Sequence, residues 1–159
     1  MRYLYFQALK ATASKKNAGT GGFYEIPSNE ANAAVMRINF TSTGEGMNIS
    51  VIKLVRGNGT GRAPTDAYII NVRLYNDTNG NGQFDSSSDT QIGSAITTTA
   101  AEKYEFTGFQ FNTTTSGVNS LFVVMNTSDA EWNPQMTFNL SIASTNDINT
   151  LGEVTVAIL

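Results

Sequence analysis

The chain has 159 residues, of which 40% are apolar and only 14% charged, enough for one domain with a sizeable core and too few for two comfortable ones. Its net charge of −3 offers no basic surface, which makes nucleic acid and anionic membrane poor partners. With no Cys and no His there can be no disulfide, thiolate nucleophile, Cys/His zinc site or histidine base, and most familiar hydrolase mechanisms are excluded together.

The N-terminus, Met1 to Lys10, is an apolar arm in which Tyr3, Leu4, Tyr5, Phe6 and Leu9 need burial. As a strand it alternates Tyr3, Tyr5, Gln7 and Leu9 against Leu4, Phe6 and Ala8; as a helix it stacks Met1, Leu4, Tyr5, Ala8 and Leu9 on one face. Both conformations stay open, and Leu4 to Gln7 is also similar to the tail of an engineered protease site, which would make the segment an added tag. Residues 11–22 follow as a tether of small and polar residues, able to reach about 40 Å when extended. So long a lead predicts that Met1 to Leu9 leaves its own domain and pairs with the next subunit.

Residues 23–159 read as the sandwich domain. Phe23 to Ile26 is a short strand stopped by Pro27. Ala33 to Thr43 places Met36, Ile38 and Phe40 on one face, and Met47 to Arg56 places Met47, Ile49, Val51 and Val55 together. Lys53 shares that second face; an edge position or a snorkelling side chain accounts for it, with an isopeptide crosslink to an Asn as the sharper alternative. Further strands are Tyr68 to Tyr75, Thr90 to Ile96, Tyr104 to Phe111, Ser120 to Asn126, Pro134 to Ser144 and Glu153 to Leu159. In the last two, Met136, Phe138, Leu140, Ile142, Val154, Val156 and Ile158 are expected inward. Only Thr97 to Lys103 could hold a helical turn. About nine short strands bounded by polar turns predict an all-β, antiparallel sandwich of immunoglobulin-like or jelly-roll-like type.

Between Tyr75 and Thr90 lies the most specific stretch, Asn76-Asp-Thr-Asn-Gly-Asn-Gly-Gln-Phe-Asp-Ser-Ser-Ser-Asp89. A hard cation such as Ca2+ takes roughly six to eight oxygens, and a short segment supplies them by placing oxygen-bearing side chains at alternate positions around a sharp turn. Asp77, Asn79 and Asn81 stand at positions 1, 3 and 5, and Gly82 permits the turn. Gln83 can offer its carbonyl, Asp85 sits at position 9, and Asp89 can complete the shell. Three carboxylates in one loop would repel without a counterion. The competing reading is a plain Asn/Gly/Asp turn.

The nine leading positions resemble the Ca2+ loop of EF-hands and dockerins, but Ser88 replaces the bidentate Glu, and a strand precedes the loop where a helix would stand. Ile70 to Asp85, with Phe106-Thr-Gly-Phe109 and Leu121 to Met125, resembles the calcium-loop, immunoglobulin-like β-sandwich modules of prokaryotic cell-surface proteins. The apolar arm on its tether makes the whole similar to subunits of donor-strand filaments, the archaeal bundling pili and biofilm-matrix fibres. These resemblances imply an extracellular or cell-surface structural module that uses calcium as cofactor and other copies of itself as partner, in a homopolymer built by donor-strand complementation.

Asn-X-Ser/Thr acceptors occur at Asn39, Asn48, Asn58, Asn76, Asn112, Asn126 and Asn139, which suits an exported glycoprotein. No apolar run approaches transmembrane length, so no membrane insertion is expected. The primary expectation is a structural subunit of an extracellular filament, pilus or surface layer, rigidified by calcium and not an enzyme. The alternative is a calcium-dependent carbohydrate-binding or adhesion module, with a glycan partner, in which Trp132, Tyr104 or Phe111 presents a ring to a sugar.

Overall fold

A computed structural model describes residues 3–9, 29–58, 65–97, 102–130, 138–151 and 155–158. At 3–9, 58, 138 and 155–158 only the backbone is described. In chain order the strands are β1 (Tyr3–Leu9), β2 (Ala33–Thr43), β3 (Asn48–Asn58), β4 (Ile69–Asn76), β5 (Thr90–Ile96), β6 (Lys103–Phe106), β7 (Phe111–Asn112), β8 (Asn119–Thr127), β9 (Phe138–Ser141), β10 (Ile148–Leu151) and β11 (Thr155–Ile158). One sheet runs β11-β1-β2-β8-β4-β5, and the other is organised around β3. The fold is an all-β sandwich, antiparallel throughout except where β1 runs parallel to β11.

The second sheet is in effect three strands wide. Along one edge of β3 lie β6 and then β7, and along the other β9 and then β10, each pair being one strand interrupted by an excursion. The expected strand Tyr104 to Phe111 is therefore two pieces, because Thr107 to Gln110 steps out of the ladder with Gly108 at φ +70°. On the other edge the interruption is a 3₁₀ turn, Thr145–Asp147, capped reciprocally by Ser144 and Asp147. That turn was not expected there. Residues 98–101, most of the stretch expected to hold a helical turn, lie outside the described residues, as do Phe23 to Ile26 and the tether 11–22.

The core fills the space between the sheets, with Met36, Ile38, Phe40, Val72, Leu74, Leu121, Val123 and Met125 facing Ile49, Ile52, Leu54, Tyr104, Phe106 and Phe111. Met36, Ile38 and Phe40 are buried as their alternation predicts. The inward face of β3 needs correction. Its buried residues are Ile49, Ile52, Leu54 and Arg56, while Val51 and Val55 are half-buried on the opposite face with Lys53. The cause is a bulge at Ser50, skipped where Ile49 pairs with Thr150 and Val51 with Asn149; one extra residue reverses the side-chain phase. Leu140 packs on the core and Ile142 is buried; the side chains of Met136, Phe138, Val154, Val156 and Ile158 lie outside the described residues.

β8 is a continuous apolar run because it is buried on both faces. Leu121, Val123 and Met125 enter the main core, while Phe122 and Val124 form a second cluster on the outer face with Tyr75, Ala34 and Phe84.

Of the two conformations open to the arm, the backbone takes the strand. β1 pairs residue for residue with β2, from Tyr3 opposite Thr43 to Leu9 opposite Arg37, and its first four residues pair with β11. In the single chain the arm thus lies inside its own sheet, the reverse of the expectation that it leaves its domain.

Candidate functional site: the loop from β4 to β5

The loop begins where β4 ends beside β8, with the Asp77 N–H donating to Ser120 O at 3.1 Å. From there each Asx side chain organises the backbone just ahead of it. Gly82 N–H donates to Asp77 Oδ2 (2.9 Å), Asn81 N–H to Asn79 Oδ1 (3.0 Å) and Gln83 N–H to Asn81 Oδ1 (2.7 Å). These are the short-range bonds for which Asn and Asp are favoured in turns. Gly82 is required twice over, since its φ is +71° and a Cβ there would stand 2.6 Å from Arg37 Nη1.

The far end is closed by Asp89, which is 7% exposed. Its Oδ1 accepts from Thr78 N–H (3.1 Å) and its Oδ2 from Asp85 N–H (2.8 Å), so one carboxylate clips both limbs of the loop. Asp85 Oδ1 accepts from the hydroxyl and the N–H of Ser87 (2.7 and 2.9 Å). The Ser87 hydroxyl first, then its N–H, hold the Asp85 carboxyl below its ordinary value.

Two further residues seat the loop on the sheet, and both were missed in the sequence. Phe84 packs edge-on to Tyr75 and Phe122, with ring centroids 5.1 and 5.8 Å away. Arg37, reaching across from β2, donates Nη1–H to Gly82 O at 2.6 Å. Its signal was legible as a cation between Met36 and Ile38, on the face of β2 opposite the core. Nearby, Arg73 donates to Tyr75 Oη (3.0 Å), Asn32 Oδ1 (2.7 Å) and Asn126 Oδ1, with its guanidinium 5.5 Å from the Tyr75 ring. This outer face of β2, β8 and β4 is the platform on which the loop rests.

As a cation site the loop offers oxygen donors throughout, the chemistry a hard ion takes. Asp77 Oδ1 is buried with no hydrogen-bond partner among the described residues, the kind of orphaned acceptor an ion would satisfy. The Asn79, Asn81 and Asp89 oxygens already hold backbone N–H groups, however, and among the described residues no three acidic side chains converge as a metal-binding group. The residue left with a buried, unpartnered acceptor for an ion is thus Asp77, while Asp85 and Asp89 serve first to shape the loop.

The other expected residues are placed as follows. Tyr104 and Phe111 are buried in the core, and burial pushes the Tyr104 phenol up to about 12, so neither presents a ring to a sugar. Trp132 lies outside the described residues. Lys53 is not at an edge: β3 is flanked on both sides, and Nζ stands 3.4 Å from the Glu105 carboxylate across the β3–β6 pair. Among the acceptor asparagines, Asn112 and Asn139 are exposed, while Asn39, Asn48, Asn76 and Asn126 are half-buried. Asn39 Oδ1 accepts from Ser120 and Asn126 Oδ1 from Asn32 N–H, which ties both side chains down. The Asn58 side chain lies outside the described residues. No helix among the described residues is long and apolar enough to cross a membrane. No family model matches the chain, and no curated protein matches it.

Proposed function

We propose that the protein is a structural subunit of an extracellular filament or surface layer, which assembles by exchanging its N-terminal strand and is stiffened by calcium at the Asp77–Asp89 loop. The observation that carries this reading is the connection of β1. Antiparallel neighbours are ordinarily joined by about two to five residues. Here residues 10–32 separate β1 from β2 although the two strands lie side by side. A connection of that length lets the same strand fill the same gap in a neighbouring copy with every backbone hydrogen bond retained, so exchange costs little beyond association. Because donor and acceptor surfaces differ, the contact is head-to-tail and gives a polar fibre unless it closes into a ring. The orphaned Asp77 Oδ1 supports the calcium element.

The absence of native Cys provides a clean test. Tyr5 and Thr41 stand directly opposite each other on β1 and β2, so Tyr5→Cys with Thr41→Cys places two thiols at disulfide reach wherever the arm sits. Oxidation under assembly conditions should give a ladder of covalent oligomers on a non-reducing gel. Crosslinked monomer alone at every concentration, before and after refolding, would overturn strand exchange.

A further inference from the structure

The loop contains two Asn-Gly pairs, Asn79-Gly80 and Asn81-Gly82, and only one of them is set up to react. In an Asn-Gly sequence the glycine backbone nitrogen can attack the asparagine side-chain carbon, because no Cβ blocks the approach. For Asn81 that nitrogen is engaged, since Gly82 N–H donates to the Asp77 carboxylate at 2.9 Å. Gly80 N–H donates to no group among the described residues.

The Asn79 side chain is held for the same step from two sides. Its Oδ1 accepts from Asn81 N–H at 3.0 Å, which polarises the carbonyl and stabilises the oxygen charge of a tetrahedral adduct. Its Nδ2 donates to Ser88 Oγ at 2.8 Å, leaving a hydroxyl beside the departing amine. The turn holds the electrophile in place, and local geometry of this kind converts a slow encounter into an intramolecular reaction.

We propose that Asn79 is a site of spontaneous modification, losing its amide through a cyclic imide. The bond from Gly80 N to Asn79 Cγ forms and the Cγ–Nδ2 bond breaks. The Gly80 proton passes to the departing nitrogen, with Ser88 Oγ as the relay, and ammonia leaves. Water then opens the five-membered imide. Cleavage of the new N–Cγ bond restores the peptide with an aspartyl side chain at position 79; cleavage of the original peptide carbonyl–N bond gives the isoaspartyl form. The aspartyl product adds a fourth carboxylate to the loop and keeps an acceptor for Asn81 N–H. The isoaspartyl product inserts a side-chain methylene into the backbone and breaks that turn.

The test is peptide mapping of the intact chain after incubation in neutral buffer with chelator present, so that the outcome does not depend on the calcium reading. The gain in mass from amide to carboxylate should accumulate at Asn79 several-fold faster than at Asn81. In the urea-unfolded chain the two sites should react at similar rates. Ser88→Ala should slow Asn79 in the folded chain and leave the unfolded rate unchanged, which separates relay from general loosening; its melting curve checks that the fold is kept. Equal folded rates at the two sites, or an Asn79 rate unaffected by Ser88→Ala, would overturn the proposal.

Discussion

The Asp77–Asp89 loop and strand β1 are fixed in place in opposite ways. Most loop bonds join residues two to five apart, as in Asn79 to Asn81, Asn81 to Gln83, Asp77 to Gly82 and Asp85 to Asp89. β1 is held by strands at a great distance along the chain, with Tyr3 between Thr43 and Thr155. A segment stabilised by its own neighbours keeps its conformation in any assembly, whereas a segment stabilised by remote partners can accept the same partners from another copy. The first is suited to be a rigid fixture and the second a connector.

The largest way to break this contrast is to delete residues 1–10. β11 loses its partner and β2 loses one edge, so the truncated chain should forfeit a large share of the about 5–15 kcal/mol that stabilises a domain. Urea titration should show a much lower midpoint, and a free peptide of residues 1–10 should restore it. No restoration by the peptide would mean that the gap closes once β1 is absent.

Next in size is the ion. If calcium binds at Asp77, a concentration 100-fold above the dissociation constant adds about 2.7 kcal/mol. The melting temperature should rise with calcium and fall with chelator, and Asp77→Ala should abolish the difference. Indifference to chelator in the native chain would leave a turn closed by Asp89 and Arg37 alone.

Phe84→Ala tests whether the loop is also anchored from below. A fully buried Phe→Ala costs about 3–5 kcal/mol; Phe84 is half-buried, so about 1–3 is expected, with Phe84→Leu recovering most of it. The truncated and full-length chains should lose the same amount, since Phe84 packs on β4 and β8 while the arm pairs with the far edge of β2. Non-additivity in that double-mutant cycle would show coupling through Arg37, whose backbone pairs with Leu9 while its guanidinium holds Gly82 O.

The same contrast explains what could be read in the sequence. Asx turns and glycine conformations are local, so Asp77, Asn79, Asn81 and Gly82 announced a structured loop by spacing alone. Period-two alternation likewise revealed Met36, Ile38 and Phe40. Ser50 shows the limit: a bulge is visible only from the partner strand, and without β10 the inward face of β3 reads with the wrong phase after Ile49. The roles of Arg37 and Phe84 could not be read for a related reason, as the first reaches Gly82 from β2 and the second packs on Phe122 of β8, and both contacts are tertiary. The position of β1 was the least legible, because an apolar alternation states that a strand needs partners and not whose strands they are.

The smallest effect isolates the local chemistry best. The Ser87 hydroxyl is the leading cause of the lowered Asp85 value, followed by the Ser87 N–H. A carboxyl whose folded value lies below its unfolded value contributes stability above the unfolded value, and that contribution disappears as pH falls through the folded one. Ser87→Ala removes the hydroxyl bond and leaves the N–H bond, so the Asp85 titration should move up towards the ordinary carboxylate range without reaching it. The acid limb of the stability curve should then become shallower, with its onset unchanged because the unfolded value sets it, while stability at neutral pH falls only slightly because Asp85 is exposed. Carbon-detected NMR titration of the Asp85 carboxyl in both chains reads this directly. An unmoved midpoint would show that the loop is held at Asp85 by something other than Ser87, and would weaken the claim that this region is fixed by its nearest neighbours.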